Sequence, residues 1–436
     1  MDMLITPSHL RGEIAIPASK SHTIRALVIA TLAPGRSILH APLVSADTLS
    51  CRASCALFGA TVHDNNVEAQ PAAPLQAPPR WEIAGTAGTP HQPQDIVDVG
   101  NSGTSMNFLI STAGLIDGYS VLSGDAQIKR RPVQPLLEAL QPLGVTTHAL
   151  ARNGCPPVLV QGRMRGGVTQ VQSRISQYLS SLLLHCPLAP NDTEIRALDL
   201  AEKPYVEMTL RWLDKQGIQY EQAGMEQFRV KGNQTFKPFD EQIPADFSSA
   251  TFFLCGAVIP DSDIILRGLD FNDSQGDKAI VTMLQAMGGS LEQTDQGLHV
   301  RSSQVRGDEL DLGDTPDALP VMAVIGCLAE GTTRLRNVAH ARFKETDRIA
   351  VMRQELRAMG ADIDEHEDGL TIRTSRLHGT TVDSHHDHRI AMALCMAGLA
   401  AQGTTVVKHI EAVQVTFPQF PDLLRQLGAE VRIIEI

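Results

Sequence analysis

The pattern of apolar and polar positions in residues 343–362, FKETDRIAVMRQELRAMGAD, is typical of a helix that runs into a strand. Its helical apolar positions are Ile349, Met352, Leu356 and Met359. This spacing predicts one buried face, and Gly360 is placed to end the helix. The polar positions are less ordinary, because Lys344 and Arg348 lie at the helix start, where the helix dipole disfavours cations.

The same phrase, a helix end followed by a glycine and a short alternating strand, occurs six times along the chain. The glycines are Gly59, Gly144, Gly217, Gly288, Gly360 and Gly428, separated by 68 to 85 residues. Glycine just beyond a helix suits a left-handed position, and alternation after it suits a strand. Chance use of a common helix-to-strand loop is the alternative. Six copies instead predict six α/β units, each with two helices and several strands, rather than one doubly wound sheet. Three units in each half would form two similar domains with a ligand cleft between them.

Composition sets limits on the partners. A chain of 436 residues is long enough for two or more domains, and its apolar content of 43% is that of a folded globular protein. The formal net charge of −12 and the aromatic content of 4% argue against nucleic-acid partners and against docking on an anionic membrane. Any anion site must therefore be a local group of cations. We expect small-molecule substrates and a monomer.

Targeting and redox signals favour a cytoplasmic protein. The longest apolar run, around Ala318–Ala329, is too short to span a bilayer, and MDMLITPSHL has no basic segment typical of a signal peptide. The seven cysteines are odd in number and show no metal-ligand spacing. We expect them to be buried and reduced.

Cations recur at the starts of predicted helices. The segments are 19–33 with Lys20 and Arg25, 173–185 with Arg174, 343–362 with Lys344 and Arg348, and 385–401 with Arg389; a fifth start, 99–115, has Gly100 and Gly103. A helix N-terminus with converging Lys or Arg binds anions well. For a single helix, a solvated cation or a local pair such as Lys344 with Asp347 is an adequate alternative. Together the four cases predict a ligand with several negative groups.

Candidate acids lie beside these cations. Asp314 and Asp317 precede an apolar helix, where capping is the alternative role, and Glu345 lies between Lys344 and Arg348. A carboxylate among cations stays ionised and can act as a base, and a desolvated one can act as an acid. The consecutive residues 385–388, HHDH, cannot all face one metal ion, so we expect neither a metal nor a cofactor.

Ten phrases along the chain, in order, carry a family resemblance. They are IPASKSHTIRAL, VGNSGTSM, SGDAQIKRRP, SQYLSSLLL, KPYVEMTL, ADFSSATFFL, TPDALPVMAV, FKETDRI, DHRIAMAL and TFPQF. Together they resemble the 5-enolpyruvylshikimate-3-phosphate synthase family. The resemblance implies an α/β fold of two domains, each of three βαβαββ units arranged as an inside-out α/β barrel. The implied domains are residues 20–243 and residues 1–19 plus 244–436, with the active site in the cleft.

The resemblance also implies a reaction and a set of site residues. The enolpyruvyl group of phosphoenolpyruvate would pass to a hydroxyl of shikimate 3-phosphate without a metal, in the shikimate pathway of aromatic amino-acid synthesis. Asp317 would be the base for the hydroxyl and Glu345 the proton donor to the methylene carbon. Phosphoenolpyruvate would be held by Lys20, Gly103, Arg348 and Arg389. The acceptor would be held by Ser21, Arg25, Ser176, Gln177 and Lys344, and Arg131 would replace an arginine that other members have at Gln127.

Three departures from the family pattern bear on the acceptor. Glu202 and Ile175 stand where serines are common, and Asn107 where an arginine is common. Because an acid repels a phosphate, a different cyclic alcohol is an alternative acceptor. A sister family that uses UDP-N-acetylglucosamine is disfavoured, because the loop GDAQIKRRPV lacks that family's cysteine. A non-catalytic metabolite-binding homologue is the remaining alternative.

Overall fold

The computed structural model describes residues 1–64 and 78–435. The chain divides into two compact units: Met1–Pro17 with Pro244–Ile436, here called the C-terminal unit, and Ala18–Ile243, the N-terminal unit. Each unit has its own hydrophobic core.

The helices of both units differ in how much of their surface is buried. Those of the N-terminal unit are α1 (Lys20–Leu32), α2 (Ala46–Leu57), α3 (Gly103–Ala113), α4 (Gln134–Leu140), α5 (Ser176–His185) and α6 (Lys203–Gln216). Those of the C-terminal unit are α7 (Phe247–Phe253), α8 (Ala279–Ala286), α9 (Leu319–Leu328), α10 (Arg348–Ala358), α11 (His388–Ala400) and α12 (Phe420–Gln426). The odd-numbered helices are buried on nearly all sides, whereas α2, α6 and α10 bury one face, which explains why their sequences are amphipathic.

Twenty-four strands are found in the described residues. The first twelve are β1 (Asp2–Ile5), β2 (Arg11–Ala15), β3 (Arg36–His40), β4 (Thr61–Asp64), β5 (Arg80–Ala84), β6 (Val97–Asp98), β7 (Tyr119–Ser123), β8 (Thr146–Ala149), β9 (Val158–Gln161), β10 (Gly167–Gln172), β11 (Thr193–Leu198) and β12 (Tyr220–Ala223). The others are β13 (Gln227–Val230), β14 (Asp240–Gln242), β15 (Asp263–Arg267), β16 (Ser290–Thr294), β17 (Gly297–Arg301), β18 (Glu309–Asp311), β19 (Thr332–Arg336), β20 (Asp362–His366), β21 (Gly369–Arg373), β22 (Thr381–Asp383), β23 (Thr405–Lys408) and β24 (Val431–Ile434).

The strands form six four-stranded sheets of one topology. The orders are β14-β3-β5-β4, β6-β7-β9-β8 and β10-β11-β13-β12 in the N-terminal unit, and β2-β15-β17-β16, β18-β19-β21-β20 and β22-β23-β1-β24 in the C-terminal unit. In each sheet the first pair is parallel and the next two pairs are antiparallel, as in β18 with β19, β19 with β21 and β21 with β20. Each sheet with its two helices is a βαβαββ unit, so the predicted fold class is confirmed.

Two sheets of the C-terminal unit draw strands from the start of the chain. β1 lies between β23 and β24, and β2 pairs in parallel with β15. In the N-terminal unit, β14 comes late in the sequence and pairs in parallel with β3. Sequence-distant strands therefore complete three of the six sheets.

The six helix-terminal glycines all adopt the backbone conformation that the repeat predicts. Their φ angles lie between +72° and +102°. In Gly360, with φ +92°, an added Cβ would also lie 2.7 Å from the ring of His378. A side chain there would be strained twice, because positive φ is costly for L-residues and the space is filled.

All seven cysteines lie among the described residues; each is buried and free of a disulfide. In the part of the chain that the model describes, no helix has both the length and the hydropathy to cross a membrane.

The buried His185, at the end of α5, gives a prediction about pH. Its ring nitrogens contact Thr112 Oγ1 at 2.8 Å and the Ser181 carbonyl at 2.7 Å, and burial lowers its pKa to about 4. The unfolded chain takes up this proton near pH 6.5 and the folded chain only near pH 4, so acidification between these values should destabilise the fold by at most about 3 kcal/mol.

The measurement is the denaturation midpoint of the wild type and His185→Gln between pH 7 and 4. The wild type should lose more stability than the variant across this window. Equal losses would mean that His185 is not the group that couples folding to protons.

Candidate active site

The start of α10 explains the cations of the KETDR segment. Asp347 is the N-cap and accepts the backbone N–H of Ala350 at 3.0 Å, and Arg342 donates to its other oxygen at 2.7 Å. Asp347 is therefore an ordinary cap, and Arg342 is a salt-bridge partner that the sequence did not suggest. Arg348 follows as the first helical residue and turns inward.

Arg348 is buried among three carboxylates of the protein itself. Its Nη1 donates to Asp317 Oδ1 at 2.8 Å, its Nη2 to Glu345 Oε2 at 2.5 Å, and its Nε to Asp387 Oδ2 at 2.8 Å. Nη2 also donates to Asp387 Oδ1 at 3.2 Å, and the side chain is only 1% exposed. Burial lowers the pKa of Arg348, but the negative charges of Asp387, Glu345 and Asp317 raise it by more. The net effect is a raised pKa, so the guanidinium stays charged.

Asp317 lies between two guanidinium groups. Its second oxygen accepts from Arg389 Nη2 at 2.9 Å, and its side chain keeps 19% exposure. Burial raises the pKa of Asp317, but the charges of Arg389, Lys344 and Arg348 lower it by more, so it lies well below its usual range. Asp317 is thus held ionised, and it is accessible to a ligand.

The charges of this cluster balance. Asp317, Glu345 and Asp387 contribute three negative charges, and Lys344, Arg348 and Arg389 contribute three positive ones. The sequence suggested a local excess of cations. Instead, the charges of the six side chains add up to zero. The cation at the start of α10 is accordingly stabilised by internal carboxylates. An anionic ligand would compete with these carboxylates for Arg389 and Lys344, the two cations less completely enclosed than Arg348.

Asp387 is the member of the cluster to which the sequence analysis gave no role. It is the N-cap of α11, where it accepts the N–H of Arg389 at 2.9 Å, and it also accepts the hydroxyl of Thr346 at 3.0 Å. An Asp directly before the apolar run of α11 is a recognisable cap signal. Its bond to Arg348, 39 residues away, could not be read from the sequence.

In the N-terminal unit, α1 begins at Lys20, which pairs with a buried acid. Its Nζ lies 3.1 Å from Asp47 Oδ2, a side chain that is 3% exposed, whereas Lys20 itself is 19% exposed. Asp47 belongs to the first turn of α2 and was not anticipated.

Arg25, one turn further along α1, is buried against α3 and α6. Its Nε donates to Thr209 Oγ1 at 2.9 Å, its Nη2 to the Tyr205 carbonyl at 2.9 Å, and its Nη1 to the Ser21 carbonyl at 3.0 Å. The guanidinium carbon also lies 5.3 Å from the centre of the Phe108 ring. Burial lowers the pKa of Arg25 to about 10, which leaves it charged at neutral pH. Its hydrogen-bond partners are a hydroxyl and two carbonyl oxygens, none of which is charged. An anionic ligand could therefore supply the negative charge that this buried guanidinium favours.

The starts of α3 and α5 meet around Gly103. A Cβ on Gly103 would lie 2.8 Å from Arg131 Nη1 and 3.8 Å from Gln177 Oε1, so a side chain at this position would displace the end of Arg131. Gln177 donates to Thr104 Oγ1 at 3.0 Å and accepts from Asn107 Nδ2 at 2.8 Å. Three residues proposed from the resemblance, Gly103, Arg131 and Gln177, are thus brought together.

The start of α5 carries an internal carboxylate. Glu202 Oε2 accepts the Ser176 hydroxyl at 2.7 Å and the Ser176 N–H at 3.2 Å, and Glu202 is 2% exposed. Glu202 is also the N-cap of α6, with an unusual φ of +56°. Arg174, which the sequence placed at the start of this helix, precedes it and is exposed.

Comparison with known proteins places this architecture in one family. The family model for EPSP synthase (3-phosphoshikimate 1-carboxyvinyltransferase) matches residues 4–424. The chain is 45% identical to a 3-phosphoshikimate 1-carboxyvinyltransferase of Acetivibrio thermocellus and 44% identical to one of Ruminiclostridium cellulolyticum, with all of each chain covered. Among solved structures, EPSP synthase from Acinetobacter baumannii is similar with a TM-score of 0.81 and 26% identity over the whole of both chains. The chain therefore belongs to the EPSP synthase family.

Proposed function

We propose that this protein transfers the enolpyruvyl group of phosphoenolpyruvate to a hydroxyl of shikimate 3-phosphate and releases phosphate. The observation that carries this function is the arrangement of Asp317 and Glu345 around Arg348, with Arg389 and Lys344 beside them. The reaction needs two proton-transfer groups and cations for two phosphates and two carboxylates. The family relationship supports the same activity.

The first step joins the acceptor oxygen to C2 of phosphoenolpyruvate. In our assignment Asp317 takes the proton of the attacking hydroxyl, and Glu345 gives a proton to the methylene carbon C3. Glu345 is ionised in the charge balance of the cluster, so it must first take up a proton when the anionic substrates bind. The tetrahedral product then loses a C3 proton and expels phosphate from C2, which restores the carbon–carbon double bond. Cations stabilise the charge that develops on the leaving phosphate.

The low pKa of Asp317 is consistent with a base only once substrate is bound. In the present geometry Arg389 and Lys344 lower that pKa. Anionic phosphoenolpyruvate would share these cations and weaken their effect on Asp317. The pKa would then rise toward the range in which a carboxylate accepts a proton efficiently.

Substrate-binding roles follow the two clusters. We assign phosphoenolpyruvate to Lys20, Arg348, Arg389 and the N–H of Gly103, with Arg131 beside it. Arg348 uses four of its five N–H donors on carboxylates, which leaves one for a ligand. The acceptor contacts in this proposal are Ser21, Arg25, Ser176, Gln177 and Lys344, with Arg25 binding its carboxylate.

A cyclic alcohol without the phosphate is a second candidate acceptor. The bonds from Ser176 to Glu202 favour it, because a buried carboxylate already occupies the N-terminus of α5. A phosphate at the same position would be repelled by Glu202, by roughly 1 kcal/mol or more at intermediate dielectric.

The deciding experiment measures phosphate released from phosphoenolpyruvate with either shikimate 3-phosphate or unphosphorylated shikimate. We expect release with shikimate 3-phosphate at the higher kcat/KM. A higher kcat/KM with shikimate would select the second candidate. No release with either, together with retained binding of phosphoenolpyruvate, would indicate a non-catalytic homologue.

Substitution Glu202→Gln tests the carboxylate directly. Removing its charge while keeping its shape should lower the KM for shikimate 3-phosphate about fivefold, with kcat little changed. Glu207→Gln, an exposed acid on the same helix, is the matched control and should alter neither value. An unchanged KM in Glu202→Gln would mean that the acceptor phosphate does not bind near Ser176.

We further propose that the protein acts in the cytoplasm as a monomer, without nucleic-acid or membrane partners. The net charge of −12 and the seven buried free thiols support this environment. Light scattering coupled to size exclusion would give the oligomeric state.

A further inference from the structure

The histidine-rich segment before α11 separates into different surroundings when it folds. His385 Nε2 lies 2.9 Å from Glu355 Oε1, and His388 is buried in the first turn of α11. His386 instead faces His409, which follows β23, and the two ring centres lie 3.9 Å apart with the ring planes tilted by 36°. A pair of imidazoles from sequence-distant loops is thus held at the surface.

Glu411 completes a group of three possible metal ligands. One ligand atom from each of His386, His409 and Glu411 lies within 4.8 Å of the others. Within this group, His409 Nδ1 lies 3.4 Å from Glu411 Oε1. We infer that His386, His409 and Glu411 bind one divalent transition-metal ion of the zinc class.

The distances suit tetrahedral coordination. Metal–nitrogen and metal–oxygen distances of about 2.0–2.1 Å place neighbouring ligand atoms about 3.3 Å apart. His409 and Glu411 already have this separation, and the remaining ligand atoms need to approach by no more than about 1.5 Å. We expect rotation of the side chains to bring these atoms together. Two imidazoles and one carboxylate favour zinc, nickel or copper over magnesium and calcium, and leave the fourth position to water.

Two of these ligands have charged groups behind them. With Nδ1 of His409 toward Glu411, its Nε2 faces Asp383 Oδ2 at 3.8 Å. The second oxygen of Glu411 accepts the Met1 ammonium at 2.9 Å. In known metal sites, a carboxylate behind a ligating histidine sets the tautomer and the orientation of the ring. Ligating carboxylates are likewise held by hydrogen bonds from neighbouring groups.

The backbone also holds the two histidine loops together. The buried Ser384 hydroxyl donates to the His409 carbonyl at 3.2 Å and accepts the His386 N–H at 3.2 Å. His386 and His409 have φ angles of +59° and +58°, in the left-handed region that non-glycine residues seldom adopt. This backbone strain occurs at both positions that bring the two rings close together.

The three side chains are open to solvent, so an ion can enter. His386 is exposed, and the side chains of His409 and Glu411 are 37% and 36% exposed. A bound ion would tie the loop that supplies Asp387 to the loop after β23. The inference concerns binding, and it does not depend on the proposed transferase activity.

Calorimetric titration of untagged protein with zinc chloride tests the inference. We expect one equivalent of zinc per chain for the wild type, with a midpoint of thermal unfolding that rises on zinc addition. His409→Gln and Glu411→Gln should each reduce the affinity by at least about tenfold and abolish the thermal shift.

The matched control is His299→Gln, which removes a partly buried histidine paired with Asp263 at 2.6 Å elsewhere in the same unit. It should bind zinc as the wild type does. Circular dichroism without metal confirms that the variants are folded. Either no stoichiometric zinc binding by the wild type, or equal binding by wild type and both ligand variants, would overturn the inference and leave an ordinary hydrogen-bonded cluster.

Discussion

Asp317→Asn is expected to lower kcat for phosphate release by about 10²–10⁴-fold, the usual contribution of a positioned acid–base group. The amide has nearly the shape of the carboxylate but cannot accept the proton of the attacking hydroxyl. It also removes the charge that Arg348 and Arg389 share, at 2.8 Å and 2.9 Å. The KM for phosphoenolpyruvate should change less than kcat, because both guanidinium groups remain available to the anion.

Asp314→Asn is the control for this substitution. Asp314 lies three residues earlier, in the turn before the short 3-10 helix that carries Asp317, and is exposed. Its kcat should stay within about twofold of the wild type, since surface changes rarely exceed a few tenths of a kcal/mol. Near-normal turnover in folded Asp317→Asn would refute the assignment of Asp317 as the base. Glu345→Gln should lower kcat in the same way if Glu345 is the proton donor.

The second large effect is on stability. Asp387→Ala should lower the free energy of unfolding of the C-terminal unit by about 3–5 kcal/mol, the usual cost of breaking a buried ion pair from one side. Asp387 is fully buried, makes two hydrogen bonds to Arg348, and caps α11 through the N–H of Arg389. The substitution removes one of the carboxylates that balance the charge of Arg348, whose side chain is 1% exposed. It also removes the N-cap of α11.

Asp347→Ala provides a matched comparison. Asp347 is also a helix N-cap and also pairs with an arginine, Arg342, but the two side chains are 38% and 21% exposed. Solvent screens this pair, so the loss should be only about 1 kcal/mol, mostly from the cap. Urea denaturation followed by circular dichroism measures both. Equal losses in the two variants would show that burial of the Arg348–Asp387 pair adds nothing beyond capping.

The repeated architecture was readable from the sequence because its signals are local. Gly144 and Gly217, like the other four helix-terminal glycines, mark a backbone conformation that neighbouring residues dictate. Helix starts were likewise found to within a few residues, as for α3, which begins at Gly103 inside the predicted segment 99–115. Strands supplied from far along the chain, such as β14 beside β3, carry no comparable local signal.

The candidate residues were found by type and position, but their partners were not. The sequence placed Lys344 and Arg348 at a helix start and interpreted them as anion ligands. The fold shows that Arg348 is enclosed by Asp317 and Asp387, which lie 31 and 39 residues away. Likewise the sequence marked Glu202 as unusual, and the fold shows that it binds Ser176.

The sequence by itself determined the six α/β units, the helix starts that carry cations and acids, and the family resemblance, because periodicity, caps and motifs depend on neighbours along the chain. Tertiary structure alone decided which carboxylate neutralises which cation, and that His386 meets His409 and Glu411. Such pairings follow from the packing of helix ends and loops that are tens of residues apart. Their strength depends on burial, since removal from water makes both the attraction and the cost of an unpaired charge larger.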